Sequence, residues 1–248
     1  VIWKKNIYKK LYKNIYKNLS FSIFQDVIYI ADNIGFVYAI SFTSGELIWL
    51  KNHGIPIKSK IKIFKNRIFL INQDNRIFCL KTSDGSKVWD IRTINSFIKN
   101  QNLLSLAISK NGDVVFINSA GDLIKANAPN GNISWSLNIS GSMYEHATDF
   151  FKSSNIVILN EDVIFSAGSS FFSYNLNSGK LNWIQEVTAV DTPIINGKNI
   201  FSITGNGYFI IMNKETGEII SSSNILKLLK KKKQKTKISG YVMGSGKI

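Results

Sequence analysis

The side chains able to do chemistry are few and widely separated. His53 and His146 are the two histidines, and neither has a Cys or His neighbour at zinc-ligand spacing. Each reads as a loop residue. The single cysteine, Cys79, lies in Arg76-Ile77-Phe78-Cys79-Leu80, an apolar alternation where a small buried hydrophobe fits a strand. No intrachain disulfide is possible within these residues, and one thiol suits either redox compartment. Serine is plentiful, yet no G-x-S-x-G elbow occurs, and a serine triad would have to recruit one of the two loop histidines. Acidic residues such as Asp32, Glu46, Asp84 and Glu218 fall in turns, where turn chemistry and solvation are their usual roles. The terminal Gly244-Ser245-Gly246-Lys247-Ile248 lacks the phosphate-loop pattern, because Tyr241 stands where glycine is required and Ile248 where Ser or Thr is required. No catalytic residue, metal site or cofactor is expected from this set.

Charge gives a second exclusion. The formal net charge is +15, but six lysines lie within residues 1–20 and eight within 221–248, with no acidic residue in either stretch. The rest of the chain sets 17 basic against 16 acidic side chains. A positive balance confined to the ends, without stacking platforms or a recognition helix, argues against a nucleic-acid partner. No apolar run approaches the roughly 20 residues of a membrane helix. The pattern of a secretory signal is missing, and Val1-Ile2-Trp3 looks like the end of a repeat, so the true N-terminus is expected upstream.

That repeat is the strongest feature. Asp26 to Trp49 reads D-V-I-Y-I-A-D-N-I-G-F-V-Y-A-I-S-F-T-S-G-E-L-I-W, and Asn66 to Trp89 reads N-R-I-F-L-I-N-Q-D-N-R-I-F-C-L-K-T-S-D-G-S-K-V-W. Further copies end at Trp135 and Trp183, and a fifth has Ser221 at the tryptophan position. The four tryptophans are 40 to 48 residues apart, a period typical of propeller blades. Each copy pairs two apolar strands through a polar turn. A second turn then carries glycine four residues before the tryptophan, at Gly45, Gly85, Gly131, Gly179 and Gly217. These glycines supply the positive φ of a tight turn. The tryptophan leads an outer strand and covers the seam between sheets, with its N–H finding a partner. A fourth strand lies before each copy, as in Ile57 to Phe64 or Leu103 to Ile108. The expected fold is all-β, a β-propeller of four-stranded blades, with residues 1–248 forming a single domain truncated at both ends.

Glycine, three residues and tryptophan after the hairpin I-A-D-N-I-G-F-V-Y-A-I resembles the repeat of the quinoprotein-type propellers. One branch holds the pyrroloquinoline quinone (PQQ)-dependent alcohol dehydrogenases and another the BamB lipoproteins of the outer-membrane β-barrel assembly machinery. The stretches N-S-G-K-L-N-W-I-Q-E-V (Asn177 to Val187) and I-I-N-G-K-N-I-F-S-I-T-G-N-G-Y-F-I-I-M-N-K-E-T-G-E-I-I (Ile194 to Ile220) are similar to later BamB blades. The resemblance implies five to six blades of an expected eight, with another blade opening at Ile238. It implies a non-enzymatic periplasmic scaffold at the inner face of the outer membrane, with no cofactor. Its partners would be BamA-like periplasmic domains and nascent outer-membrane proteins, and a lipid anchor outside this chain would supply the membrane attachment. The alternatives are a fragment of a PQQ-dependent dehydrogenase, or a propeller that binds polysaccharide or peptide. The isolated Cys79 departs from the adjacent cysteine pair often found in the dehydrogenases.

Three stretches break the repeat. In Lys4 to Ser20, residues Ile7, Tyr8, Leu11, Tyr12, Ile15, Tyr16 and Leu19 recur every three to four positions among lysines. This spacing would gather them on one helix face, either for a membrane surface or partner or for docking back on the propeller. Residues 227–237 are a lysine-rich run, read as an exposed loop. The loop Asn95 to Asn102 corresponds by resemblance to the inter-blade loop that touches the barrel-assembly partner. Phe97, Ile98 and Lys99 would occupy that place, and Lys152, Ser153 and Ser154 would lie on the same face.

Overall fold

The computed structural model describes residues 3–94, 103–140, 151–189, 191–228, 238 and 240–244. Its strands form five four-stranded sheets, each in simple up-and-down order. The first sheet holds β1 (Leu19–Phe24), β2 (Val27–Asp32), β3 (Phe36–Ser41) and β4 (Leu47–Asn52). The second holds β5 (Lys62–Phe64), β6 (Arg67–Ile71), β7 (Arg76–Lys81) and β8 (Lys87–Arg92). The third holds β9 (Leu106–Ile108), β10 (Asp113–Ile117), β11 (Asp122–Asn127) and β12 (Ile133–Asn138). β13 (Val157–Leu159), β14 (Asp162–Ala167), β15 (Ser170–Asn175) and β16 (Leu181–Gln185) form the fourth. β17 (Ile194–Asn196), β18 (Asn199–Ile203), β19 (Tyr208–Asn213) and β20 (Ile219–Asn224) form the fifth. The chain is an all-β propeller of four-stranded blades, and each blade is one copy of the repeat. Two compact units divide it, one of Val1–Ala120 with Ala126–Ser134 and one of Gly121–Lys125 with Trp135–Ile248.

The central strands are buried on both faces, which is why they read as near-continuous apolar runs. Ile68 to Ile71 and Ile77 to Leu80 are almost wholly shielded from solvent. In the first unit Tyr29, Ala39 and Trp49 from sheet one pack with Ile57, Ile61, Leu70 and Leu80 on the sheet-two side. The second unit repeats this arrangement with Ile164, Phe171 and Trp183 against Ile200, Ile210 and Met212. Lys214 Nζ also reaches Asp162 Oδ2 at 2.7 Å, adding a half-buried ion pair between the fourth and fifth sheets.

Every tryptophan docks on the following repeat in the same way. The indole N–H donates to the carbonyl three residues before that repeat's glycine: Trp3 to Phe42, Trp49 to Thr82, Trp89 to Ala128, Trp135 to Leu176 and Trp183 to Lys214, at 2.8–2.9 Å. The ring then lies flat against the glycine. A Cβ built on Gly45, Gly85, Gly131, Gly179 or Gly217 would sit 2.5–3.0 Å from indole carbons. These glycines therefore answer to two constraints, a left-handed φ of +67° to +76° and direct contact with the neighbouring ring.

Across the strand, Trp49 pairs with Ala39, Trp89 with Cys79 and Trp183 with Ser173, each next to a bulge in the ladder. Small residues at those positions leave room for the indole. In the fifth sheet the sizes are exchanged, since Ser221 pairs with Ile211.

The segment before β1 departs from the helical expectation. Its regular structure is a single 3₁₀ turn, Lys10–Tyr12, with no side-chain cap, and Leu11 and Tyr16 stay exposed. Local propensity gives way to docking on β3. Tyr8 meets Phe36 and Tyr38 edge-on, Tyr12 meets Phe36, and the Tyr8 hydroxyl donates to Asp32 Oδ2 at 2.7 Å. Desolvation, followed by the bonds to Tyr38 and Asp32, raises the Tyr8 phenol far above its ordinary range. This stretch is an inter-blade connection, like those joining Trp49 to β5 or Trp89 to β9. Near the other end, the described residues 240–244 hold no strand. Tyr241 instead donates its hydroxyl to the Thr192 carbonyl at 2.6 Å, beside the fifth sheet.

The docking geometry separates two glycine substitutions. Gly54 has φ +70° and open space around it, so Gly54→Ala carries only the left-handed backbone penalty of about 1–2 kcal/mol. Gly85→Ala adds a collision with the Trp49 ring at 2.7 Å and is expected to cost about 3 kcal/mol or more. Urea denaturation of the two variants checks the order. Equal losses would contradict the docking account.

Candidate partner-binding surface

Phe97, Ile98 and Lys99 lie outside the described residues, but both ends of their loop are fixed. On the incoming side Asn75, which adopts a positive φ of 57°, donates to the Ile94 carbonyl at 3.1 Å and to Ser119 Oγ at 2.7 Å. Its own carbonyl accepts the Thr93 hydroxyl at 2.9 Å, and Asn118 Nδ2 donates to Thr93 Oγ1 at 3.1 Å. On the outgoing side the Leu104 N–H donates to the Lys58 carbonyl at 2.6 Å, and Ser59 and Leu104 form a parallel bridge. Loops that start and finish on a rigid scaffold are where propellers carry recognition.

Within the second candidate group, only Lys152 is exposed. Ser153 bridges to Ala167, and Ser154 is 3% exposed. The Ser154 hydroxyl accepts the Ser166 N–H at 2.9 Å, so this side chain serves the interior rather than the surface. Sequence reasoning missed the signal that explains it. Ser59, Ser105 and Ser154 each stand twelve residues ahead of the last inner position of a central strand, Ile71, Ile117 and Ser166. Ser59 Oγ accepts the Ile71 N–H at 2.8 Å, matching Ser154, whereas Ser105 uses its backbone carbonyl for Ile117. In the second, third and fourth sheets a buried serine thus joins the incoming chain to the central hairpin.

The turns of those hairpins are closed by short polar side chains. Asn72 Oδ1 accepts the N–H groups of Asp74 and Arg76, and Asn118 Oδ1 accepts that of Ala120. In the first sheet this position is Asp32, whose Oδ1 takes three backbone N–H groups at 2.9 Å. The carboxylate leaves a second oxygen for Tyr8, which an amide could not offer as an acceptor.

The second sheet also carries a charged cluster. Asp90 accepts Arg76 Nε and also pairs with Lys87 at 2.7 Å. The Arg76 hydrogen bond holds the Asp90 carboxyl down at about 2, partly opposed by its burial. Arg76 further lies over Phe78, with Cζ 5.1 Å from the ring centroid, and His53 packs against the same ring at 5.1 Å. His53 Nε2 is buried and has no hydrogen-bond partner among the described residues. Burial first, then the charges of Arg76, Lys51 and Lys87, keep this imidazole below its ordinary value of 6.5.

Among the described residues no three His, Cys, Asp or Glu side chains gather as a metal cage. The Cys79 thiol is buried and pushed up to about 11 by desolvation. His146 falls outside the described residues.

The His53 geometry sets a pH response. A depressed native value means that the folded state favours the neutral ring, so this contribution is whole above pH 6.5 and is lost as pH falls through the native value. Asp90 contributes in a separate window, between its unfolded value of about 4 and its native value. The melting temperature is therefore expected to fall between about pH 7 and pH 5. In His53→Phe, which keeps the ring contact without the proton, that fall should shrink. An identical slope in the variant would remove His53 from the account.

Comparison with known proteins fits this architecture. A 26% identical relative, the outer membrane protein assembly factor BamB of Shewanella oneidensis, aligns over 78% of this chain and 53% of its own length. The corresponding protein of Moranella endobia is 18% identical, over 80% and 55%. The chain thus spans about half the length of these curated relatives. The crystal structure of BamB from Moraxella catarrhalis shares the fold, with a TM-score of 0.70 at 14% identity over 83% of this chain and 63% of that one. Quinohemoprotein alcohol dehydrogenase from Comamonas testosteroni shares it at a TM-score of 0.61 and 16% identity, over 83% of this chain and 42% of that one. The profile of the family described as outer membrane protein assembly factor BamB matches residues 1–223, and the chain belongs to that family.

Proposed function

We propose that residues 1–248 form part of a single propeller domain that acts as a non-enzymatic scaffold in the periplasm, at the inner face of the outer membrane. In this reading it assists the insertion of β-barrel proteins by holding the periplasmic domains of a BamA-like protein, and nascent outer-membrane proteins pass close to it. The observation that carries the proposal is the family match over residues 1–223, joined to a loop held at both ends by Asn75, Asn118 and Ser59. Rigid anchoring lowers the ordering cost of presenting Phe97, Ile98 and Lys99 to a partner. Lys152, exposed on the fourth-sheet side, is a second contact in the proposal. In this reading a lipid anchor would set its distance from the membrane.

The test is retention of purified chain on immobilised periplasmic domains of a BamA-like barrel-insertion protein. The intact chain should be retained. Phe97→Asp combined with Ile98→Asp should weaken retention roughly tenfold or more while leaving the melting temperature unchanged. Lys152→Glu should act more weakly, as expected for a charge at the rim. No retention of the intact chain, or uptake of added PQQ with dye-reducing turnover, would overturn the proposal.

A further inference from the structure

A cleft of about 510 Å³ lies in the first unit, between β1 and the extended stretch Ile57 to Lys62. Its polar lining is cationic and rich in donors, and among the described residues no Asp or Glu borders it. Burial alternates along the stretch: Ile57, Ser59 and Ile61 are inside, while Lys58, Lys60 and Lys62 take the other side. Lysines two residues apart on an extended chain are spaced about 6.6–6.8 Å. Two bordering hydroxyls each accept a backbone N–H, Ser20 from Ile61 and Ser59 from Ile71, both at 2.8 Å. The Ser20 hydroxyl keeps its proton to donate, whereas Ser59 belongs to the buried side. Lys62 is half-buried, and desolvation with the charge of Lys60 depresses its ammonium, so an anion placed there would relieve like-charge crowding. Leu19 and Phe21 are large exposed apolar side chains on the β1 wall.

The geometry points to a binding site for an extended acidic peptide, in which carboxylates on alternate residues meet Lys60 and Lys62 and intervening apolar side chains rest on Leu19 and Phe21. Two features favour a peptide over a compact anion. The lysine repeat matches the i, i+2 spacing of side chains on a strand, and the cleft is far larger than one oxyanion. The inference does not rest on the barrel-assembly reading, because it concerns a different surface and a different ligand chemistry.

Fluorescence anisotropy with a labelled peptide of alternating Glu and Val, about eight residues long, tests it on the full 248-residue chain. Binding should weaken with added salt. Lys60→Gln with Lys62→Gln should reduce affinity roughly tenfold or more, since each removes a charge-assisted contact. Lys4→Gln with Lys5→Gln removes the same charge away from the cleft and should change affinity less than about twofold. If the cleft pair lowers the melting temperature, the exposed Lys60→Gln alone carries the test, with a loss of about threefold or more expected. Equal affinity of the cleft variants and the parent would overturn the site. So would Lys60- and Lys62-dependent binding of inorganic phosphate, or of anionic phospholipid vesicles, in preference to the peptide.

Discussion

An indole resting on a bare glycine is the interaction on which this fold depends. The ring of one repeat needs a flat surface on the next, and only a residue without Cβ leaves one, because an added Cβ would come within 2.5–3.0 Å of the indole carbons. The same turn exposes the carbonyl that accepts the indole N–H, so burying a large amphipathic ring leaves no polar atom stranded. The facing strand completes the fit with Ala39, Cys79 or Ser173, and a bulge beside each one turns the ladder toward the ring. Turn, bulge and ring thus form one unit, complete in the first, second and fourth sheets.

Most of this fold was legible in the sequence because its determinants are local and periodic. Alternating apolar residues, glycine at a fixed offset and tryptophan at the third position of the outer strand recur often enough to specify sheet order. The glycine was legible only in part. Its backbone role follows from turn chemistry, but its contact with the preceding tryptophan joins residues 34 to 44 positions apart in the chain and shows only in three dimensions. The buried serines were missed for a related reason, since Ser59 and Ser154 look like any surface serine until their twelve-residue offset from Ile71 and Ser166 is noticed.

Lys4 to Ser20 does not form the helix its spacing allowed, since periodicity alone does not decide a connection and its last two residues open β1. Tyr8 and Tyr12 find aromatic partners on β3, and Asp32 offers an oxygen that no helical arrangement would have used. For the recognition surface, local patterning has little to say. Phe97, Ile98 and Lys99 carry no periodic signature, whereas the residues that hold their loop, Asn75 and Asn118, belong to the repeat and can be found from it.

Each sheet also separates two tasks along its length. The glycine turn that receives the indole comes before the outermost strand, and the connection to the next sheet leaves after that strand, at the opposite end. The connections accordingly differ in length, from the short path between Trp183 and β17 to the long one between Trp135 and β13, while the indole geometry stays constant. A lineage can therefore lengthen, shorten or recharge these connections without disturbing what holds the blades together. Such insulation lets one inherited architecture acquire new specificities by accumulating changes where stability is not at stake.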